Sequence, residues 1–540
     1  MTPRRRIYSI TLTMIFLLSA CSSDRRVGGT IVMSSAADAD VLFPPLTITI
    51  IGKQVGDQIF DNLADIGPAL NTVGDAGFTP RLADRWRWAP DSSYVAFHVN
   101  PNAKWHDGTP VGGNDVRFTF RLLKDTTLAS PAAANLDNVD SVTVPDSLTA
   151  VVWFHQRTPD SFYKVASPVV ILPEHLLAKT APASLHESAF ARAPIGSGRF
   201  KFAEWQRGAR IVLQADTANY RGRPKADRAI WLIASDYTAA SLRFLNGTAD
   251  FLDVVRPELI PQVKAKGLNV IVSPGSLDYG YVAFNLRNAA NTAPNPVFGE
   301  RETRRALVKA VDRAAIVRSV FDTLGFVSHG PATRILATSD TTLGIPYDPV
   351  GAARSLDSLG WKRGTDGFRV RGKTPLAFAL MVPTSSAIRM RIAVLLQEQW
   401  RRIGANVRLD AIELNTFGGR MEDRKFDALL NAWHIEPTPS SVREEWASSE
   451  VKKGGYNETS YRSPAFDATI DSAVREMNPS RSVGLYRRAY KVLIDDAPAM
   501  WIYEPRNAQG ASKRIEPVGI RPDAWWAHLA DWTVVSSGGR

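Results

Sequence analysis

Two places in this 540-residue chain carry side chains that could do chemistry. One is Cys21, the only cysteine. A lone thiol can take a covalent group but cannot close an internal disulfide, so the body of the chain is disulfide-free. The other is His106-Asp107, an imidazole beside a carboxylate, the pairing used in general acid–base catalysis. Its setting is Trp105-His106-Asp107-Gly108-Thr109-Pro110. That run reads as a turn, because Asp-Gly favours turn geometry and Pro110 fixes φ nearby. A structural turn accounts for both residues. The chain has no Gly-x-Ser-x-Gly, no His-Glu-x-x-His and no Walker loop, and its eight histidines lack metal-ligand spacing. The expectation is a protein that is not an enzyme, with no catalytic residue, no metal and no cofactor.

Cys21 ends a distinctive leader. Arg4, Arg5 and Arg6 precede an uncharged apolar stretch over 7–18, and Leu18-Ser19-Ala20 follows. This pattern is a secretory signal, too short to span a bilayer stably. Leu18-Ser19-Ala20-Cys21 resembles a bacterial lipobox. That resemblance implies cleavage after Ala20, diacylglycerol on the Cys21 thiol and an acyl group on the new amino terminus. At about 0.8 kcal/mol per buried methylene, several chains anchor a protein without a transmembrane helix. Residues 1–20 are then a signal peptide and 21–29 a lipidated tether. The expected location is the cell envelope, in the periplasmic space, on a membrane. The net charge is +11, but the basic residues are scattered rather than clustered. No nucleic-acid partner is expected.

The elements that would position a site are mixed. With 44 % apolar residues the chain can bury substantial cores, and its length suggests two to four domains. Apolar residues recur at helical spacing over 301–324, 391–403, 464–477 and 481–494. Strand patterns lie at 30–33, 149–154, 209–213, 229–234, 279–286 and 376–382, with a further strand through Tyr94, Phe97 and Val99. Gly113 or Asn114 is placed to cap a helix through Val116, Phe120 and Leu123. The expected fold class is α/β, with mixed β-sheets flanked by helices.

The stretch 83–116 makes the reading specific. It carries Ala83, Asp84, Trp86, Asp91, Tyr94, Phe97, Trp105, Asp107, Gly108, Asp115 and Val116. These residues and spacings resemble the signature of extracellular solute-binding protein family 5, the dipeptide-, oligopeptide- and nickel-binding proteins of bacterial ABC importers. Ala89, Val99-Asn100 and Gly113 depart mildly from it. Further landmarks recur in order: Pro194-Ile-Gly196-Ser-Gly198, Asn246-Gly247-Thr248-Ala249-Asp250, Phe284-Asn285 and Gly404-Ala-Asn-Val407. The resemblance implies a two-lobed periplasmic-binding-protein (Venus-flytrap) fold with an extra inserted domain. Domain I would be 30–58, 190–284 and 503–540; domain II 59–189; domain III 285–502. The hinge would cross near Phe284-Asn285 and Ile502-Tyr503.

The same resemblance implies a ligand between the lobes and no cofactor. Partners would be a peptide or other small solute, and the ABC permease and ATPase, with the chain acting as a monomer. In peptide-binding members an Asp three residues after a Trp pairs with the ligand's α-ammonium. Here Trp433 is followed by His434, Ile435 and Glu436, so the charge is kept with one more methylene. The implied ligand-binding set is Trp433 as a wall, Glu436 as amine anchor, His434 as a polar contact, and Asn285 and Tyr281 where the hinge strand meets the cleft. Arg389, Arg391 and Arg420 are candidates for a ligand carboxylate, and the loop from Phe43 to Leu46 a further contact. The alternatives are a nickel chelate, an oligosaccharide or an opine as ligand, or a sensory lipoprotein without transport.

Overall fold

The computed structural model describes residues 28–535, apart from Ala289. The leader, Cys21 and most of the tether therefore lie outside the described residues.

Three sheets organise the chain. The first has seven strands, in the spatial order Asn269–Val272, Ala508–Ala511, Phe251–Leu252, Thr30–Ser35, Arg228–Ile233, Arg210–Ala215 and Phe200–Gln206. Thr30–Ser35 runs parallel to Arg228–Ile233, so segments almost 200 residues apart in sequence share one sheet. The second has six strands: Gly325–Val327, Ala499–Pro505, Asp278–Phe284, Ala428–His434, Ala377–Pro383 and Asn406–Ile412. The third is a four-stranded antiparallel sheet of Ala83–Trp88, Tyr94–Val99, Thr149–Phe154 and Val139–Asp146.

The turn after the third sheet's second strand is structural in every atom that could react. Trp105 N–H donates to Thr109 O at 2.8 Å, and Gly108 takes φ +95°, which glycine adopts without a Cβ penalty. The His106 ring joins this turn to the Gly196-Gly198 landmark. Its Nδ1 accepts from Gly196 N–H at 3.2 Å and its Nε2 donates to Gly198 O at 2.9 Å. Burial lowers the His106 pKa, which fits the neutral ring that this pairing requires. Asp107 pairs with His175 at 2.7 Å. The helix that follows is Gly113–Leu123, and its N-cap is Gly112 rather than Gly113 or Asn114. Asp115, at the third helical position, reaches back to accept the Gly112 N–H at 2.9 Å, one half of a capping box.

Two sequence expectations move. The amphipathic stretch over 301–324 is two helices, Arg301–Lys309 and Arg313–Phe321. Asp312 restarts the helix as an N-cap, its carboxylate accepting from Ala315 N–H at 2.8 Å. The crossings between the first and second sheets also move. Phe284 still pairs with Ala428, and Tyr503 with Gly280, inside the second sheet. The chain leaves the first sheet after Val272 and returns to it at Ala508, through 273–277 and 505–507. Pro274 and Pro505 mark the breaks, because proline has no N–H to give a ladder. The two crossings are tied together: Ser273 N–H donates to Asn507 O at 2.8 Å, and Asn507 N–H to Ser273 Oγ at 3.1 Å.

Alternation on the second sheet's central strand separates two environments. Val282 and Phe284 join the core beneath the helices Arg301–Lys309 and Ala387–Arg402. Tyr279 and Tyr281 face the opposite side, with Trp446 and Trp501. Gly280 lets the Tyr503 ring lie against the strand, since a Cβ there would sit 1.9 Å from Tyr503 Cε1. Among the described residues no helix is long and apolar enough to cross a membrane.

Candidate functional site

A cleft of about 790 Å³ is lined from both lobes, within the range of small-molecule and cofactor sites. The first sheet's lobe contributes Gln54, Asp253, Asn507, Asp523 and Trp526; the second contributes Asp278, Phe321, Ile388, Arg391 and His434. Gln54 stands on helix Ile50–Ile59, its Oε1 held by the Trp231 indole N–H at 3.0 Å. Trp525 packs on Phe251 of the first sheet with ring centroids 4.6 Å apart. The cleft floor is therefore packed onto the first sheet on that side.

Charge in the lining is mixed: Asp253, Glu258, Asp278 and Asp523 stand with Arg256, Arg391, Arg506 and Arg521. His434 Nδ1 lies 2.9 Å from Asp278 Oδ1, across the paired ends of their strands. The hydrogen bond to Asp278 holds the His434 pKa above 6.5, with the charges of Glu436 and Asp523 adding to it. One carboxylate thus bonds the imidazole, and two more act on it through their charge. Asp523 is itself held by Arg521 through two bonds of 3.1 and 2.7 Å. Elsewhere in the lining, Arg391 donates to Ser319 O at 3.0 Å and Arg506 to Thr323 O at 3.3 Å. Both guanidiniums are fixed around the end of helix Arg313–Phe321, beside Phe321 and Leu324. Asp253 faces the cleft, and burial pushes its carboxyl up to about 6.

The His434–Asp278 pair has a pH signature. A folded pKa above the unfolded value means that the pair's stabilisation is complete below pH 6.5 and fades as pH rises through the folded value. NMR titration of the His434 ring is expected to give a midpoint above 6.5 that returns to the ordinary value in Asp278→Asn. A wild-type midpoint at or below 6.5 refutes the pair.

The candidate residues from sequence distribute unevenly. His434 lines the cleft. Glu436 is exposed, accepts from the Tyr163 hydroxyl at 3.3 Å and adds its charge to the His434 environment. It stands where the segment carrying the third sheet meets the loop after His434. There Asp160 also accepts from Thr438 Oγ1 at 2.9 Å and Ser440 Oγ at 2.7 Å. Trp433, next to His434 in the strand, faces the opposite side of the sheet, opposite Tyr279 in the ladder. Tyr281 is buried there, its hydroxyl donating to Glu458 Oε2 at 3.3 Å. Asn285 is 1 % exposed and its amide is consumed by Arg424 O and Phe426 O at 2.9 and 3.0 Å. It lies outside the cleft lining because the strand that it follows is an interior strand of the second sheet and not a crossing. Among the arginines, Arg391 lines the cleft, Arg389 donates to Asn431 Oδ1 at 2.9 Å and Arg420 pairs with Asp410 at 2.8 Å. Phe43 is buried in the core. Sequence reasoning did not reach Asp253, Asp278, Arg506 or Asp523. The signal for the last was the run Asp523-Ala524-Trp525-Trp526, an aromatic pair beside a carboxylate.

The family model for bacterial extracellular solute-binding proteins, family 5, matches residues 77–454. The chain belongs to this family. It is 24 % identical to the oligopeptide-binding protein AppA of Bacillus subtilis, over 96 % of this chain and 97 % of that one. The solved structure of that AppA, in complex with a nonapeptide, superposes with a TM-score of 0.74 at 23 % identity, covering 95 % of this chain and 100 % of the other. NikZ of Campylobacter jejuni, solved with Ni(L-His), gives a TM-score of 0.75 at 22 % identity, covering 93 % and 99 %. The fold is the two-lobed periplasmic-binding-protein fold of mixed sheets and helices, and the family's role is extracellular solute binding for ABC transporters.

Proposed function

We propose that this protein is the substrate-binding lipoprotein of an ABC importer, capturing di- or oligopeptides between its lobes and delivering them to the permease. The observation that carries this reading is a cleft of about 790 Å³ lined from both lobes by carboxylates, guanidiniums and apolar rings. A peptide brings an ammonium, a carboxylate and an apolar body. The acidic group around His434 suits the first, Arg391 and Arg506 the second, and Phe321 and Trp526 the third. In this reading the domain division follows the sheets. One lobe holds 30–58, 190–272 and 508–535, the insertion is 59–189, and the other lobe holds 278–505. Closure is a rigid-body rotation about 273–277 and 505–507. Cys21 carries the lipid that keeps the protein in the cell envelope.

Mass spectrometry of protein purified natively from its host is expected to release peptides. A single non-peptide solute in their place overturns the assignment. Glu436→Gln is expected to weaken binding of such a peptide by about 1–3 kcal/mol, the range for losing a charge-assisted bond. Calorimetry showing unchanged affinity removes Glu436 from the site. One observation favours a second ligand, a metal–amino-acid chelate: His434 offers an exposed imidazole in the cleft. Metal analysis of the same native sample separates the two.

A further inference from the structure

On the opposite face of the His434 strand lies a small pocket that the cleft does not use. Its wall is Tyr281, Trp433, Glu445, Trp446, Tyr456 and Glu458, closed by Thr459. The rings stand in two perpendicular pairs. Trp433 and Tyr456 are 5.7 Å apart at 73°, and Tyr281 and Trp446 are 6.4 Å apart at 70°. Between them are two carboxyl groups. Glu445 is 6 % exposed, and its Oε2 accepts from the Tyr279 hydroxyl at 2.8 Å and the Trp446 indole at 3.2 Å. Among the described residues its Oε1 has no hydrogen bond of ordinary geometry, the Trp433 indole acting on the carboxyl only from longer range. A buried carboxyl oxygen without a partner at the wall of a pocket is costly unless something fills the gap. Glu458, 9 % exposed, accepts from Tyr281.

We propose that this pocket is a receptor for one alkylammonium group, such as an amine or lysine-type side chain of a ligand. Three independent features converge on that chemistry. Aromatic faces attract a cation through their quadrupoles, most strongly when it is desolvated. The free Glu445 oxygen supplies a charge-assisted acceptor. The volume, about 10 Å³, is that of one water-sized group. A terminal –NH₃⁺ fits that space, whereas a planar guanidinium is too large for it. Tyr456, 57 % exposed, is the most open part of the wall and marks the mouth.

Burial raises the Glu445 carboxyl to about 8 and the Glu458 carboxyl to about 7. The groups facing them are each other, the Tyr279 and Tyr281 hydroxyls, and the Arg424 guanidinium on the Glu458 side. Below neutrality the empty pocket is therefore largely protonated. Entry of R–NH₃⁺ ionises a carboxyl, and its proton leaves to solvent.

The inference goes beyond peptide capture in the cleft, and simple amines test it separately. The mature protein is titrated calorimetrically with n-butylammonium, n-butanol and n-propylguanidinium in two buffers of different ionisation enthalpy. Expected are saturable binding of n-butylammonium alone, proton release at pH 6.5 that vanishes by pH 9, and at least a tenfold loss of affinity in Glu445→Gln. The wild-type comparison needs no variant to fold. Equal binding of n-butanol or n-propylguanidinium, no binding of n-butylammonium, or unchanged affinity in Glu445→Gln overturns the proposal.

Discussion

Asp61→Asn is expected to lower folding stability by about 3–5 kcal/mol, the cost of breaking a buried ion pair by removing one partner. The Asp61 side chain has no exposure at all. Its Oδ1 pairs with Arg81 Nε at 3.0 Å and Arg221 Nη2 at 3.1 Å, and its Oδ2 accepts from the Tyr220 hydroxyl at 2.9 Å. Asparagine keeps the shape and one acceptor but removes the charge. Two guanidiniums of limited exposure then lose a shared counter-ion. The position magnifies the loss. Asp61 follows the helix Ile50–Ile59, and Tyr220 and Arg221 follow the first-sheet strand Arg210–Ala215, so the cluster joins segments some 160 residues apart in sequence. Gly198 N–H also donates to Ile59 O at 2.7 Å, and a Cβ on Gly196 would lie 1.9 Å from that same oxygen. Urea unfolding should show a lower midpoint at an unchanged slope. A loss under 1 kcal/mol would mean that the charge is compensated elsewhere. Replacing Asp61, Arg81 and Arg221 together by apolar residues of similar volume should recover much of the loss, because the cost lies in the orphaned charges.

What could be read from the sequence was what local chemistry decides. The turn at Trp105–Pro110 follows from Asp107-Gly108, and the strand Tyr94–Val99 follows from its alternation. The helix Ala387–Arg402 follows from its spacing over 391–403, while its first turn, set by the Ser386 cap, lies upstream of that pattern. The break at Asp312 was legible in principle, since an aspartate three residues before an N–H it can accept is a capping signal. A continuous apolar face on either side hid it. The site was harder for a different reason. Residues 433 and 434 are neighbours in sequence, yet strand alternation sends them to opposite faces of the sheet. Pattern alone gives the alternation but not which face meets the other lobe. Asp253, Asp278 and Asp523 come from three distant segments, and only the assembled sheets bring them to one cleft. Asn285 lies outside the cleft lining because the crossing between sheets is upstream of its strand, and that depends on pairing rather than composition.

Glu445→Gln should change the pH dependence of stability more than any other single substitution in the second lobe. A carboxyl at about 8 in the folded protein and about 4.5 when unfolded binds more protons folded than unfolded throughout that interval. The sign follows: stability contributed by the protonated form is intact below pH 4.5 and is lost as pH rises towards 8. At 1.36 kcal/mol per pH unit, the loss attributable to this one group reaches about 3 kcal/mol by pH 7. Glutamine removes the titration while preserving the contacts. Its carbonyl can accept from Tyr279 and Trp446 as Oε2 does, and its amide replaces the oxygen that has no partner. The variant is therefore expected to match the wild type near pH 4.5 and to be more stable by about 3 kcal/mol at pH 7, with a flatter profile between. Denaturation midpoints measured from pH 4.5 to 8.5 decide it, and parallel profiles would show that Glu445 is ionised and paired in the folded protein. A buried carboxyl that costs stability at neutral pH contributes nothing to folding that glutamine would not. Its alternative use is the one that the free Oε1 and the four rings describe, a place for a cation.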